Sequence, residues 1–238
     1  MKIRPATNDD FDAIMAIATA TSSTDSLWNM LMPRAAFKDA AFKEHISQLL
    51  KEYIDPNNKD WLVTVVELPD KDITPGAPHI ASFAIWDMTS TSNSANKTAV
   101  ESDSLPAPAG DSSNSRYLTR FITFNNAMAA GRSKSFKAFN KFMYLKAMAT
   151  HPEYEGEGYA KALLRAGYEI ARKNEAAVTV FAGPRGYVFF SGLGFADRGP
   201  LLMQSGGDEV NIKAMSFDPT NERRRSSVVE SFMHYITS

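Results

Sequence analysis

Met148-Ala149-Thr150-His151-Pro152-Glu153-Tyr154-Glu155-Gly156-Glu157-Gly158-Tyr159-Ala160 is the stretch whose reading decides the fold. It has the pattern of a strand end, a tight glycine turn and the start of an amphipathic helix. Behind the glycines, Ala160, Leu163, Leu164, Gly167, Tyr168 and Ala171 recur at helical period and form one apolar stripe. A helix N-terminus leaves several backbone N–H groups without partners, and the helix dipole adds about half a positive charge there. Glycines at 156 and 158 let a phosphate come close to that backbone. Taken alone, a G-x-G entering a helix also reads as a glycine-rich connection that holds no ligand.

Working outward, Ala176 to Ala182 (Ala-Ala-Val-Thr-Val-Phe-Ala) reads as a buried strand, and Gly183-Pro184 opens a short helix with proline at its first position. That helix runs out in Phe190-Ser191-Gly192-Leu193-Gly194-Phe195. Upstream, Lys2 to Thr7 suggests a short strand, with Thr7 and Asp10 as a capping-box-like pair before a helix whose inner face is Phe11, Ile14, Ile17 and Ala18. Phe42, Ile46, Leu49, Leu50 and Tyr53 trace a second amphipathic helix, stopped by Asp55-Pro56-Asn57-Asn58. Trp61–Glu67 and His79–Met88 are β-rich runs joined by a Pro/Asp/Gly loop, hence a hairpin, and Glu209–Phe217 is the last strand.

Composition is that of one globular domain over residues 1–217, followed by a tail over 218–238. The chain has 238 residues, a net charge of −1, no cysteine and only four scattered histidines. Thiolate chemistry, disulfides and cysteine-based metal sites are therefore excluded, and no metal site is expected. No basic stripe points to nucleic acid, and no apolar run is long enough for a bilayer, so we expect a cytoplasmic protein with neither partner. Residues 90–115 are rich in Ser, Thr, Asn, Ala and Pro and predict a mobile loop. In the 116–142 segment Phe121, Phe124 and Met128, then Phe136, Phe139 and Phe142, recur at helical spacing and predict a helical insert. Those aromatics either pack the insert onto the body or line a pocket, and both roles are compatible. Arg223-Arg224-Arg225-Ser226-Ser227 reads as a solvated basic patch or a phosphorylation site.

The two glycine-containing blocks together resemble the GNAT superfamily of N-acetyltransferases. The family's (Gln/Arg)-x-x-Gly-x-(Gly/Ala) motif matches Glu155 to Ala160, and its Tyr-x-x-Leu-Gly-Phe block matches Phe190 to Phe195. The resemblance extends over residues 1–217 and is nearest a fungal branch with a tryptophan (here Trp86) ending the third strand. It implies an α/β (α+β) GNAT fold: a central mixed, mostly antiparallel twisted sheet of about seven strands, helices on both faces, and a helical insert before the central strand.

It also implies acetyl-CoA as co-substrate and a small-molecule amine as acceptor, bound together by a monomer or homodimer. Met148, Ala149 and Thr150 match the strand that receives pantetheine, with the Thr150 N–H expected to polarise the thioester carbonyl. The pyrophosphate would rest on the N–H groups of Gly156, Glu157, Gly158, Tyr159 and Ala160, with Lys161 nearby. Two positions depart from the pattern. Glu155 and Glu157 suit a helix start but not a pyrophosphate, which predicts weakened CoA binding if they face it and none of that effect if they face solvent. Phe190 stands where the family has its tyrosine acid, and Tyr187, one turn earlier, is the expected replacement. For the base, Lys146, Asp25, Asp87 and a water chain all remain open. A GNAT-fold protein that binds an acyl-CoA or another ligand without acetyl transfer is the other reading.

Overall fold

β1 (Lys2–Pro5), β2 (Trp61–Glu67), β3 (Ile80–Asp87), β4 (Phe142–Thr150), β5 (Ala177–Ala182), β6 (Ala196–Ser205) and β7 (Asp208–Phe217) form a seven-stranded sheet in the order β1-β2-β3-β4-β5-β7-β6. This is a computed structural model, and it describes residues 1–22, 24–73, 79–91, 115–205 and 208–220. Every strand pair is antiparallel except β4 with β5. The helices are α1 (Phe11–Thr21), α2 (Ser26–Leu31), α3 (Ala40–Ile54), α4 (Arg116–Ser135), α5 (Tyr159–Lys173) and α6 (Pro184–Ser191).

Both faces of the sheet are covered, and the two-residue alternation of β5 shows how. Val178, Val180 and Ala182 join Trp86, Met143, Leu145, Leu163, Leu164 and Phe190 in a core beneath α5 and α6. Ala177 and Phe181 turn the other way, into a core shared with α2, α3 and α4. A third cluster seats α1 and α3 on β2 and β3 through Ile14, Ile17, Leu50, Val65 and Phe83. Because both faces are buried, β3 carries no polar alternation: all of Ile80–Asp87 is buried.

The local expectations hold where one residue type dictates the geometry. Leu163, Leu164, Gly167 and Ala171 are buried along α5, with Ala160 and Tyr168 half-buried beside them. Asp10 accepts the Thr7 N–H at 2.8 Å, and its carboxylate is also gripped by Arg4 at 2.6 Å, tying β1 to the helix entry.

The insert differs from its expected form. It is one helix of 20 residues, capped by Ser115 accepting the Leu118 N–H at 3.1 Å, and it ends at Ser135. Phe139 lies beyond it and Phe142 opens β4. The spacing of Phe136, Phe139 and Phe142 reflects convergence on one cluster, where the Phe136 ring meets those of Phe142 (5.8 Å) and Phe181 (5.1 Å), and not a second helix. The short helix α2 was not evident in the sequence. Asp25 caps it by accepting the N–H groups of Leu27 and Trp28 at 2.9 and 3.0 Å.

Residues 92–114 of the expected loop and 221–238 of the tail, with the Arg223–Ser227 segment, lie outside the described residues. Among the described residues no helix is long and apolar enough to cross a membrane.

Candidate active site

β4 and β5 run side by side only as far as Leu145 and Val180. β4 then continues to Thr150 with no partner on that side, so the sheet opens into a wedge. A bulge marks the place: Trp86 pairs with Leu145 and Ile85 with Ala147, leaving Lys146 as the extra residue. Bulges bend a strand and interrupt its ladder, which is what parts β4 from β5 here.

The main-chain groups at the wedge follow from antiparallel geometry. His151 donates its N–H to the Ala81 carbonyl at 2.8 Å, so His151 and Ala149 turn their main chain toward β3. By alternation, Thr150 and Met148 turn theirs into the wedge. The Thr150 hydroxyl stays on the β3 side, 2.9 Å from the Ser82 hydroxyl.

Below the wedge lies the glycine turn. Gly156 and Gly158 have φ of 88° and 82°, which only glycine adopts without strain. A Cβ built on either would meet no atom within 4 Å. The first main-chain bond of α5 runs from the Ala162 N–H to the Gly158 carbonyl, so Tyr159, Ala160 and Lys161 present N–H groups that no helical carbonyl accepts. This is an open cradle with positive polarity, and it fits a phosphate group.

Wedge and turn open onto one cavity of about 630 Å³, within the range typical of small-ligand sites. It passes through the sheet from α5 and α6 on one face to α2, α3 and α4 on the other. Met148, Ala149, Thr150, Glu155, Gly156, Gly158, Tyr159, Ala160, Lys161 and Phe190 all line it. Two residues singled out in the sequence do not. Glu157 is exposed and stands off the cavity, and Tyr187 does not line it either.

On α6 the cavity-facing residues are Arg185, Gly186, Phe189 and Phe190. Tyr187 is about 100° round the helix from Gly186, away from that face. The Gly199 N–H, donating to Asp197 at 2.7 Å, holds that carboxyl below its usual range against the opposing effect of burial, with Lys213 and the Tyr187 hydroxyl as lesser contributors. The Lys213 ammonium sits 5.9 Å from the Tyr187 ring. Phe190 is buried in the cavity wall, packed on Phe189 and Phe195.

Among the other candidates, Lys146 lines the cavity with its ammonium 5.9 Å from the Trp61 ring. Asp25 also lines it, with both of its backbone bonds falling on Oδ1. Asp87 does not: it is buried in an ion pair with Arg132 at 2.5 Å.

Arg185 is the site residue the sequence did not reveal. It donates to Glu155 at 2.8 Å and to the Thr24 carbonyl at 3.3 Å, at the mouth of the cavity beside the glycine turn. Glu155 is thus turned aside and neutralised by a cation thirty residues away in sequence. Only the fold brings the two together, and no local pattern marks Arg185. Among the described residues no group of three or more His, Cys, Asp or Glu is arranged to hold a metal.

Residues 86–195 match the model of the acetyltransferase (GNAT) family. No curated protein matches the chain. Solved structures do, at low identity and across nearly the whole fold. A Corynebacterium glutamicum structure described as histone acetyltransferase HPA2 and related acetyltransferase is 19% identical, with a TM-score of 0.54 over 90% of this chain and 94% of that one. A mosquito arylalkylamine N-acetyltransferase-like 5b is 12% identical, with a TM-score of 0.59 over 91% and 98%. A variant of the spermidine N-acetyltransferase SpeG from Vibrio cholerae is 14% identical, with a TM-score of 0.53 over 95% and 99%. These relatives are bacterial and insect, and they lend no support to a fungal affinity. The chain has the GNAT fold, and its residues 86–195 match the acetyltransferase (GNAT) family.

Proposed function

We propose that the protein transfers an acetyl group from acetyl-CoA to the amine of a small molecule, with both held in the one cavity. The observation that carries this reading is the wedge between β4 and β5 opening directly onto the glycine cradle. When bound, acetyl-CoA supplies a thioester already activated toward amines, so the protein's work is positioning and charge stabilisation. In this reading the N–H groups of Tyr159, Ala160 and Lys161 hold the pyrophosphate, with Gly156 and Gly158 leaving room for it. Lys161 and Arg185 add positive charge at the mouth. Met148 and Thr150 offer main-chain bonds along the wedge, and the Thr150 N–H is the donor aimed at the carbonyl oxygen as its charge grows.

Proton handling uses fewer residues than the family pattern. Asp25 is the cavity carboxylate assigned to take the proton from the amine, because Asp87 is closed off by Arg132. Phe190 offers no proton, and the departing thiolate takes one from solvent. Replacing Tyr187 with phenylalanine should therefore leave kcat within about twofold, whereas loss of a true general acid typically costs about a hundredfold or more. A drop of that size in steady-state turnover would put Tyr187 back at the thiol.

Calorimetric titration of acetyl-CoA tests the reading. The wild type should bind, and Gly158→Glu should weaken binding at least about tenfold by placing a carboxylate in the cradle. Gly158→Ala carries the backbone strain without the charge and separates the two effects. Absence of binding at millimolar acetyl-CoA would sink the proposal. Phe190 in the acid position favours one alternative, an acyl-CoA-binding protein without transfer, and intact binding with no turnover on any amine would select it.

A further inference from the structure

We infer that the end of the cavity beneath α2, α3 and α4 receives the body of an aromatic monoamine carrying an oxygen acceptor remote from its amino group, and that Asn125 reads that oxygen. The inference rests on the transferase reading for which end of the molecule reacts. Asn125 lies on α4 in a wall built from Trp28, Phe121, Phe124, Met128 and Tyr144. Its exposure is 6%, and its Nδ2 finds no acceptor among the described residues. Buried amide nitrogens nearly always have partners, so an unpartnered one on the wall of a cavity points to a partner that arrives with a ligand. The terminal torsion of asparagine is broad and two-fold, and a half-turn exchanges Nδ2 with Oδ1 to present the NH₂ to the cavity.

Charge selects against the other obvious amines. Among the described residues lining the cavity, the carboxylates are Asp25 and Glu155; the first caps α2 and the second is paired with Arg185. A polyamine would bury a further ammonium against aromatic and aliphatic side chains with no counter-charge, which is strongly unfavourable. Aromatic walls instead suit an aromatic body, through large contact area and ring-edge packing.

The test uses 2-phenylethylamine, 2-(4-methoxyphenyl)ethylamine and spermidine as probes, in steady-state acetylation and in calorimetric titration of the free protein. The methoxy amine should exceed phenylethylamine in kcat/KM and in affinity by about fivefold, the worth of one neutral hydrogen bond, with spermidine the poorest. In Asn125→Leu the ratio of the two aromatic amines should fall to about one. A ratio that is unity in the wild type or unchanged in Asn125→Leu would overturn the inference, as would a preference for spermidine. The wild-type comparison needs no variant, so it decides the matter even if Asn125→Leu folds poorly. Acetyl-CoA binding with no binding of either aromatic amine overturns this inference alone. Failure of acetyl-CoA to bind sinks the transferase reading, while the titrations of the free protein still decide the inference.

Discussion

Replacing Arg132 with alanine is expected to destabilise the protein by about 3–5 kcal/mol. Arg132 sits on α4 with its side chain 3% exposed, 2.5 Å from an Asp87 carboxylate that is 1% exposed at the end of β3. Its guanidinium also lies 4.6 Å from the centre of the Tyr144 ring on β4. Asp87 accepts in addition from the N–H and hydroxyl of Thr89, at 2.9 and 2.6 Å. Removing Arg132 leaves a buried carboxylate without its cation, and that uncompensated charge, more than the lost attraction, sets the cost. The pair Asp87→Asn with Arg132→Met should therefore recover much of the loss, since asparagine still accepts from Thr89 and methionine fills the space. Urea denaturation of the three variants checks this. If Arg132→Ala falls within 1 kcal/mol of wild type, or the double variant is worse than the single, the ion pair does not anchor α4 to the sheet.

The second large effect concerns Trp86 and Gly167. Trp86 is fully buried on β3 and donates its indole N–H to the Thr64 hydroxyl at 3.3 Å. Its ring fills the notch that Gly167 leaves on α5, and a Cβ at 167 would lie 2.5 Å from the ring. Trp86→Ala should cost about 3–5 kcal/mol through the cavity it leaves. Gly167→Ala should cost about 1–3 kcal/mol, because neither an indole nor a strand and helix held by their own hydrogen bonds can give way cheaply. Combining Gly167→Ala with Trp86→Leu should cost clearly less than the two singles summed, as expected for residues that share one contact. Additive costs in a denaturation cycle would show that Gly167 is required for something other than this fit. The fit also bears on the site, since the first turn of α5 lies on the cavity wall.

Gly156, Gly158 and the stripe from Leu163 to Ala171 were legible in the chain, because glycine at positive φ and a 3.6-residue apolar period are local properties. The hairpin of β2 and β3 and the last strand were legible for the same kind of reason. Helix α2 was not, since six residues are too few to establish a period and its cap Asp25 looks like any loop aspartate. Phe136, Phe139 and Phe142 misled because a three-residue spacing is shared by helices and by turns that gather aromatics into one cluster.

Thus the sheet-and-helix framework, the glycine turn and the two blocks that resemble the GNAT pattern were legible in the chain, because they rest on neighbours within a few residues or on blocks in a fixed order. Tertiary structure alone decided which side chains meet in the cavity. Tyr187 and Phe190 are one turn apart on α6, yet the angle at which that helix lies on the sheet gives Phe190 to the cavity and Tyr187 to Asp197. Glu155 finds Arg185, Asp87 finds Arg132, and Asn125 finds no partner, through contacts that cross the chain by 30 to 45 residues or more or fail to form at all. Side-chain chemistry is written residue by residue, but charge compensation and burial are properties of the packed assembly, and no local pattern encodes them.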